Sequence, residues 1–114
     1  MHEYSLLQAL IRRVEEEAHR HHASSVRGLK VSMGEFSGVE PRLFESAYEL
    51  IRTGTICEGA SLEIVRYPGR FSCPGCGKDF ANGEVLHCAT CDRPAQMDER
   101  SESLNLESID MEIP

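Results

Sequence analysis

The sequence predicts an α+β domain: two helices on a three-stranded sheet, with a separate lobe inserted before the last strand. Three observations lead there. Two segments carry apolar residues at three- and four-residue steps, three others alternate as strands do, and four of the five cysteines fall in two Cys-x-x-Cys pairs. A chain of 114 residues has the size of one domain. We divide it into an α+β part, residues 1–70 and 95–114, and a cysteine-bearing lobe, residues 71–94.

The first helix is expected over residues 5–20. Leu6, Leu7, Leu10, Ile11, Val14 and Ala18 make one stripe, while Arg12, Arg13, Glu15, Glu16, Glu17 and Arg20 fall largely opposite. Ser5 followed by Gln8 has the form of a capping box, which would start the helix at Ser5. The alternative is a start two or three residues earlier, and either places Met1, His2 and Glu3 at or just before the helix N-terminus. Residues 27–33 alternate through Leu29, Val31 and Met33 and read as a strand. Glu40-Pro41 then opens a second helix, since proline suits the first helical position. Leu43, Phe44, Ala47, Tyr48 and Ile51 form its apolar stripe, and Gly54 closes it. Residues 61–67 supply a second strand through Leu62 and Ile64. Residues 103–113 supply the third, with apolar positions at Leu104 and Leu106 and then at Ile109, Met111 and Ile113. Such a phase shift is what a β-bulge produces. Cys57, the odd cysteine, is expected to be a small buried thiol.

The lobe is zinc-ribbon-like. Cys73 and Cys76 form one pair, Cys88 and Cys91 the other, and eleven residues separate them. Two residues between thiolates let a tight turn aim both sulfurs at one cation, and a second such turn completes a tetrahedron. Gly75 and Gly77 give the first turn its permissive backbone. Four thiolates in a compact ribbon suit a structural Zn²⁺ better than disulfides or an iron–sulfur centre.

Composition limits the function. A net charge of −7 without Lys/Arg clusters argues against nucleic acid, whose phosphates demand cationic neutralisation. No apolar run is long enough to span a bilayer and no signal peptide is evident, so we expect a cytoplasmic protein with Met1 at its mature N-terminus. Four cysteines would close the zinc shell, whereas a catalytic zinc keeps a position open. With no Ser/His/Asp arrangement, phosphate-binding glycine loop or paired catalytic carboxylates, an enzyme is not expected.

The arm Met1-His2-Glu3 offers other metal chemistry. A histidine at position two can present the α-amine, its own backbone amide once deprotonated, and imidazole Nδ1, closing two chelate rings in one plane. Planar nitrogen donors suit Ni(II) or Cu(II). Three further groups have both a functional and a plain reading. His19, His21 and His22 could form an auxiliary metal site, or be a solvated helix end favoured by the dipole. Glu40 could face the arm, or simply favour a helix start. His87 could tune the zinc lobe or touch a partner, or be an exposed neighbour of Cys88.

Met-His-Glu-Tyr-Ser-Leu at the N-terminus, Met33-Gly-Glu-Phe-Ser-Gly-Val-Glu-Pro, Thr55-Ile-Cys-Glu-Gly-Ala-Ser-Leu-Glu-Ile and the paired Cys-x-x-Cys motifs together resemble the HypA/HybF family of hydrogenase maturation nickel metallochaperones. The resemblance runs over essentially the whole chain. It implies a nickel-binding lobe, a structural zinc lobe, and delivery of Ni(II) to the large subunit of [NiFe]-hydrogenase together with the GTPase HypB. It makes His2 the principal nickel ligand, supported by the Met1 amine and Glu3. It makes Cys73, Cys76, Cys88 and Cys91 the zinc ligands. A homodimer is left open. The second cysteine turn, Cys88-Ala-Thr-Cys91-Asp92, departs from the Cys-Pro-x-Cys-Gly of many members, and Glu-Arg-Ser-Glu-Ser replaces their Gly-x-Glu-Leu before the last strand.

Overall fold

The computed structural model describes residues 2–81 and 83–114. Helix α1 spans His2–Arg20 and buries Leu7, Ile11, Val14 and Ala18, residues spaced to fall on one face. It starts at His2, three residues before Ser5 and so at the earlier of the starts read from the sequence. Ser5 therefore lies inside the helix and is not its cap, and Glu3 sits in the first turn, where the helix dipole favours a carboxylate. At the far end His22 takes a left-handed backbone, φ 56°. The His22 N–H donates to His19 O at 3.2 Å and the Ala23 N–H to Ala18 O at 2.9 Å. That pairing is a Schellman closure, so the histidine tract is the C-terminal cap of α1.

Strand β1 covers Ser25–Gly34, helix α2 Pro41–Ile51 and strand β2 Ser61–Tyr67. Glu40 caps α2: its carboxylate accepts from the Leu43 N–H at 2.8 Å. Phe44, Ala47 and Tyr48 are buried, but Leu43 is 56 % exposed and does not belong to the apolar stripe where the sequence reading put it. The capping bond uses the N–H of Leu43, and its side chain falls on the outer side of the first turn. Beyond α2 the chain returns over Tyr48, whose hydroxyl donates to Ala60 O at 2.7 Å. Cys57 is fully buried there, as the sequence reading expects, and burial pushes its thiol up to about 11.

Strands β3 (Arg70–Ser72), β4 (Asp79–Ala81), β5 (His87–Cys88), β6 (Arg93–Pro94) and β7 (Gln96–Met97) precede a one-turn helix, α3 (Glu99–Glu102), and the last strand, β8 (Leu104–Glu112). The main sheet has the order β2-β1-β8. The Ser24 N–H donates to Glu112 O and the Gly34 N–H to Ser103 O, so β1 and β8 run antiparallel. On β8 the half-buried positions shift from Leu104 and Leu106 to Ile109 and Met111, the expected change of phase. On β1 the buried positions make the same slip, from Val26 to Leu29. Helix α1 packs against α2. The α+β class read from the sequence, with two main helices, a three-stranded sheet and a four-cysteine lobe, is the observed one; α3 is an addition to it.

The chain forms two compact units, one of residues 1–32, 39–65 and 105–114, the other of residues 33–38 and 66–104. The second has its own sheet, β4-β3-β7, in which Phe71 lies opposite Phe80 on one side and Met97 on the other. Phe80, Cys73 and Cys88 are its buried centre, with Phe71, Leu86 and Ala95 packed around them. Residues 33–38 belong to this unit through a dense set of contacts. The Glu35 N–H donates to Tyr67 O, the Phe36 N–H to Ser101 O, and the Glu35 carboxylate accepts from the Gly69 N–H at 2.7 Å. The Phe36 ring covers Gly69 and lies 6.1 Å from the Phe71 ring.

Candidate metal centre

The sulfurs of Cys73, Cys76, Cys88 and Cys91 all lie within 4.8 Å of one another, and Cys76 Sγ is 3.8 Å from Cys88 Sγ. Metal–thiolate bonds of about 2.3 Å in a tetrahedron put the sulfurs about 3.8 Å apart. The four cysteines therefore span the shell of one four-coordinate ion. Cys73 and Cys88 are buried, Cys91 is half-buried and Cys76 is exposed.

Two similar turns hold them. In the first, the Cys73 N–H donates to Lys78 O at 2.9 Å and the Gly77 N–H to Cys73 O at 2.8 Å, with Gly77 left-handed at φ 79°. The Gly75 N–H points at Cys73 Sγ from 3.3 Å, and a Cβ on Gly75 would lie only 3.2 Å from Cys91 Sγ. Glycine is needed there to let the backbone approach the sulfurs. The second turn is the tip of a hairpin in which Cys88 of β5 pairs with Arg93 of β6. Asp92 occupies the place that Gly77 has in the first turn and is also left-handed, φ 49°. Aspartate is among the few side chains that tolerate this region, so the departure from Cys-Gly leaves the turn intact.

The electrostatics of the cluster are uneven. The Cys76 backbone N–H, opposed by burial and helped by the Gly75 N–H, lowers the Cys73 thiol to about 6. Hydrogen bonding to the sulfurs of Cys76 and Cys73 raises the Cys91 thiol to about 12. An ion that binds all four sulfurs as thiolates displaces the protons they carry, so metal binding here is coupled to proton release.

The other residues singled out in the sequence are placed as follows. His2 is the first residue of α1 and is exposed; Glu3 follows in the first turn, half-buried. Met1 lies outside the described residues. His19, His21 and His22 are exposed at the end of α1, with His21 Nε2 3.7 Å from the Glu17 carboxylate. Glu40 is committed to capping α2. His87 Nε2 lies 3.0 Å from Asp92 Oδ1, an interaction the sequence reading missed. The spacing of five residues around a Cys-x-x-Cys turn is the signal that could have revealed it.

The chain matches, over residues 1–111, the family described as hydrogenase/urease nickel incorporation, metallochaperone, hypA. It is 38% identical over 112 residues to the hydrogenase maturation factor HypA of Nitrosospira multiformis, covering 97% of each chain. It is 35% identical over 114 residues to the HypA of Wolinella succinogenes, covering 98% of this chain and 96% of that one. Among solved structures it resembles the solution structure of the Ni metallochaperone HypA from Helicobacter pylori, with a TM-score of 0.73, 28% identity and 98% of each chain covered. A second solution structure of a HypA protein gives a TM-score of 0.79 at 30% identity, over 97% of this chain and 96% of that one.

Proposed function

The chain belongs to the HypA family of hydrogenase/urease nickel-incorporation metallochaperones, and from that premise we propose that it is a non-enzymatic carrier that binds Ni(II) through its N-terminal arm. His2 is the principal ligand, with the Met1 amine and Glu3 in support. The carrier works in the cytoplasm, and together with HypB it delivers the ion to the large subunit of [NiFe]-hydrogenase.

The observation that carries this reading is the position of His2 as the first residue of α1, exposed to solvent. The first N–H groups of a helix have no partner within it. The His2 amide can therefore be deprotonated and bound by a metal without breaking a helical hydrogen bond. Its imidazole stands on the solvent side, where a cargo ion can enter and leave. Binding there displaces protons, so affinity falls with acidity.

In this reading Cys73, Cys76, Cys88 and Cys91 hold a structural Zn²⁺. The tetrahedral span of the sulfurs and their all-thiolate chemistry favour zinc over a planar Ni(II) site. Bound there, zinc would staple the two cysteine turns together and leave no open position for catalysis. Urease is a second recipient to consider, because the family description names it beside hydrogenase.

Metal stoichiometry on the untagged protein tests the proposal. Wild type should bind one zinc and one nickel, and His2→Ala only zinc. Nickel binding that survives the substitution would move the cargo site away from the arm. Activation of a hydrogenase large subunit against a urease apoenzyme, with and without HypB, separates the recipients.

A further inference from the structure

We propose, on the reading of the four cysteines as a zinc shell, that Cys76 is a site of oxidation by peroxide. The bridge it then forms with Cys88 releases the ion and ties the two cysteine turns together in its stead.

Access to the four sulfurs is unequal. Cys73 and Cys88 are 2 % and 1 % exposed, Cys91 is half-buried, and Cys76 is the exposed member of the set. A thiolate reacts with a dissolved oxidant only where solvent reaches its sulfur. Hydrogen bonding widens the contrast with the other cysteine of the same turn. The Gly75 N–H points at Cys73 Sγ from 3.3 Å and draws on the electron pair that an attack on oxygen would use.

A second sulfur is already in place. Cys76 Sγ lies 3.8 Å from Cys88 Sγ, and a disulfide needs about 2.05 Å. Cys76 stands between Gly75 and Gly77, whose permissive backbone can take up the closing movement. Cys88 is held in β5 by its pairing with Arg93 of β6. Cys76 is therefore the sulfur that moves, and Cys88 the one that resolves the oxidised intermediate.

The chemistry takes two steps. The Cys76 thiolate attacks one peroxide oxygen, the O–O bond breaks, hydroxide leaves, and Cys76 carries a sulfenic acid. The Cys88 thiolate then attacks that sulfur, the S–O bond breaks, a second hydroxide leaves, and the S–S bond forms. Two thiolates have lost two electrons and one peroxide has gained them. Cys73 and Cys91 are left as a pair, too few to complete a four-coordinate shell. Because Cys76 and Cys88 come from different turns, the disulfide crosses the gap that the ion had bridged. A dithiol reverses the oxidation by thiol–disulfide exchange.

The test uses the full chain loaded with zinc. Zinc content is measured first, which examines the reading of the shell by itself. Hydrogen peroxide is then added, zinc release is followed with a colorimetric chelator, sulfenic acid is trapped with dimedone, and disulfides are mapped by mass spectrometry of unreduced peptides. Dimedone should mark Cys76 first, a Cys76–Cys88 bridge should grow in step with zinc release, and the fully buried Cys57 should stay reduced. Dithiothreitol with added zinc should restore the starting state. Cys76→His keeps a four-ligand structural set and should release zinc several-fold more slowly than wild type, whereas Cys91→His should match wild type. Trapping and mapping do not require the ion, so they decide the proposal even if the chain or a variant holds no zinc. A first adduct on another cysteine, a bridge from Cys76 to Cys73 or Cys91, or equal zinc release from Cys76→His and wild type would overturn it.

Discussion

Asp92 Oδ1 meets His87 Nε2 at 3.0 Å across the second cysteine turn, from a backbone held at φ 49°. One residue thus does two things: it supplies the left-handed step that closes the turn, and it anchors the histidine before Cys88. These can be separated. Asp92→Gly keeps the step and loses the anchor, so zinc stoichiometry should stay at one and chelator resistance should change little. Asp92→Val should destabilise the turn by about 1–2 kcal/mol, because a β-branched side chain is disfavoured at positive φ. Zinc release to a colorimetric chelator would then be faster for Val than for Gly. Equal rates would show that the backbone conformation of Asp92 is unimportant.

Gly34 packs against the backbone of Arg100 and Ser101 so closely that an added Cβ would overlap it. Gly34→Ala should cost more than about 2 kcal/mol, as overpacking against backbone does. Gly38 lies in open space but at φ 80°, so Gly38→Ala should cost only about 1 kcal/mol from backbone strain. Thermal unfolding of the two variants side by side measures the difference.

Burial pushes the Cys57 thiol from 9.0 up to about 11 and the Tyr48 phenol from 10.0 up to about 12. Both protons are lost more readily from the unfolded chain, so above pH 9 the unfolded state binds fewer protons and stability falls as pH rises. The loss attributable to Cys57 should develop between pH 9 and 11, and that of Tyr48 between pH 10 and 12. Denaturant titrations across this range should show the decline, and Cys57→Ala should flatten its lower part relative to wild type.

Removing the capping carboxylate in Glu40→Ala should destabilise the protein by about 1 kcal/mol, the usual cost of losing an N-cap. Nickel stoichiometry should not change if the carboxylate serves only the helix. A variant that keeps its thermal stability but binds nickel more weakly would instead make Glu40 a ligand.

Much of this was legible in the sequence because the signals are local. Cys-x-x-Cys spacing fixes which sulfurs can share an ion, and Glu40-Pro41 marks a helix start on its own. The misreadings arise where tertiary placement decides. Ser5 and Gln8 have capping-box chemistry, yet the helix already runs from His2. Leu43 has the right spacing for the buried stripe, but the first turn of α2 leaves it outside. The phase slip on β1 was hidden because Val26 stands alone before it. The partnership of His87 with Asp92 depends on a hairpin that periodicity cannot reveal.

The attachment of residues 33–38 to the second unit bears on modularity. This unit is assembled from two stretches of chain, and one of them is spoken for by the sentence-like run Met33-Gly-Glu-Phe-Ser-Gly, far upstream of the first cysteine. The cysteine segment is therefore not a portable cassette. Grafted into a foreign host as residues 66–104 alone, it would leave Gly69 without its carboxylate acceptor and without the Phe36 ring that covers it. Exchange of this segment between relatives would succeed only where the upstream hexapeptide travels with it or is already matched.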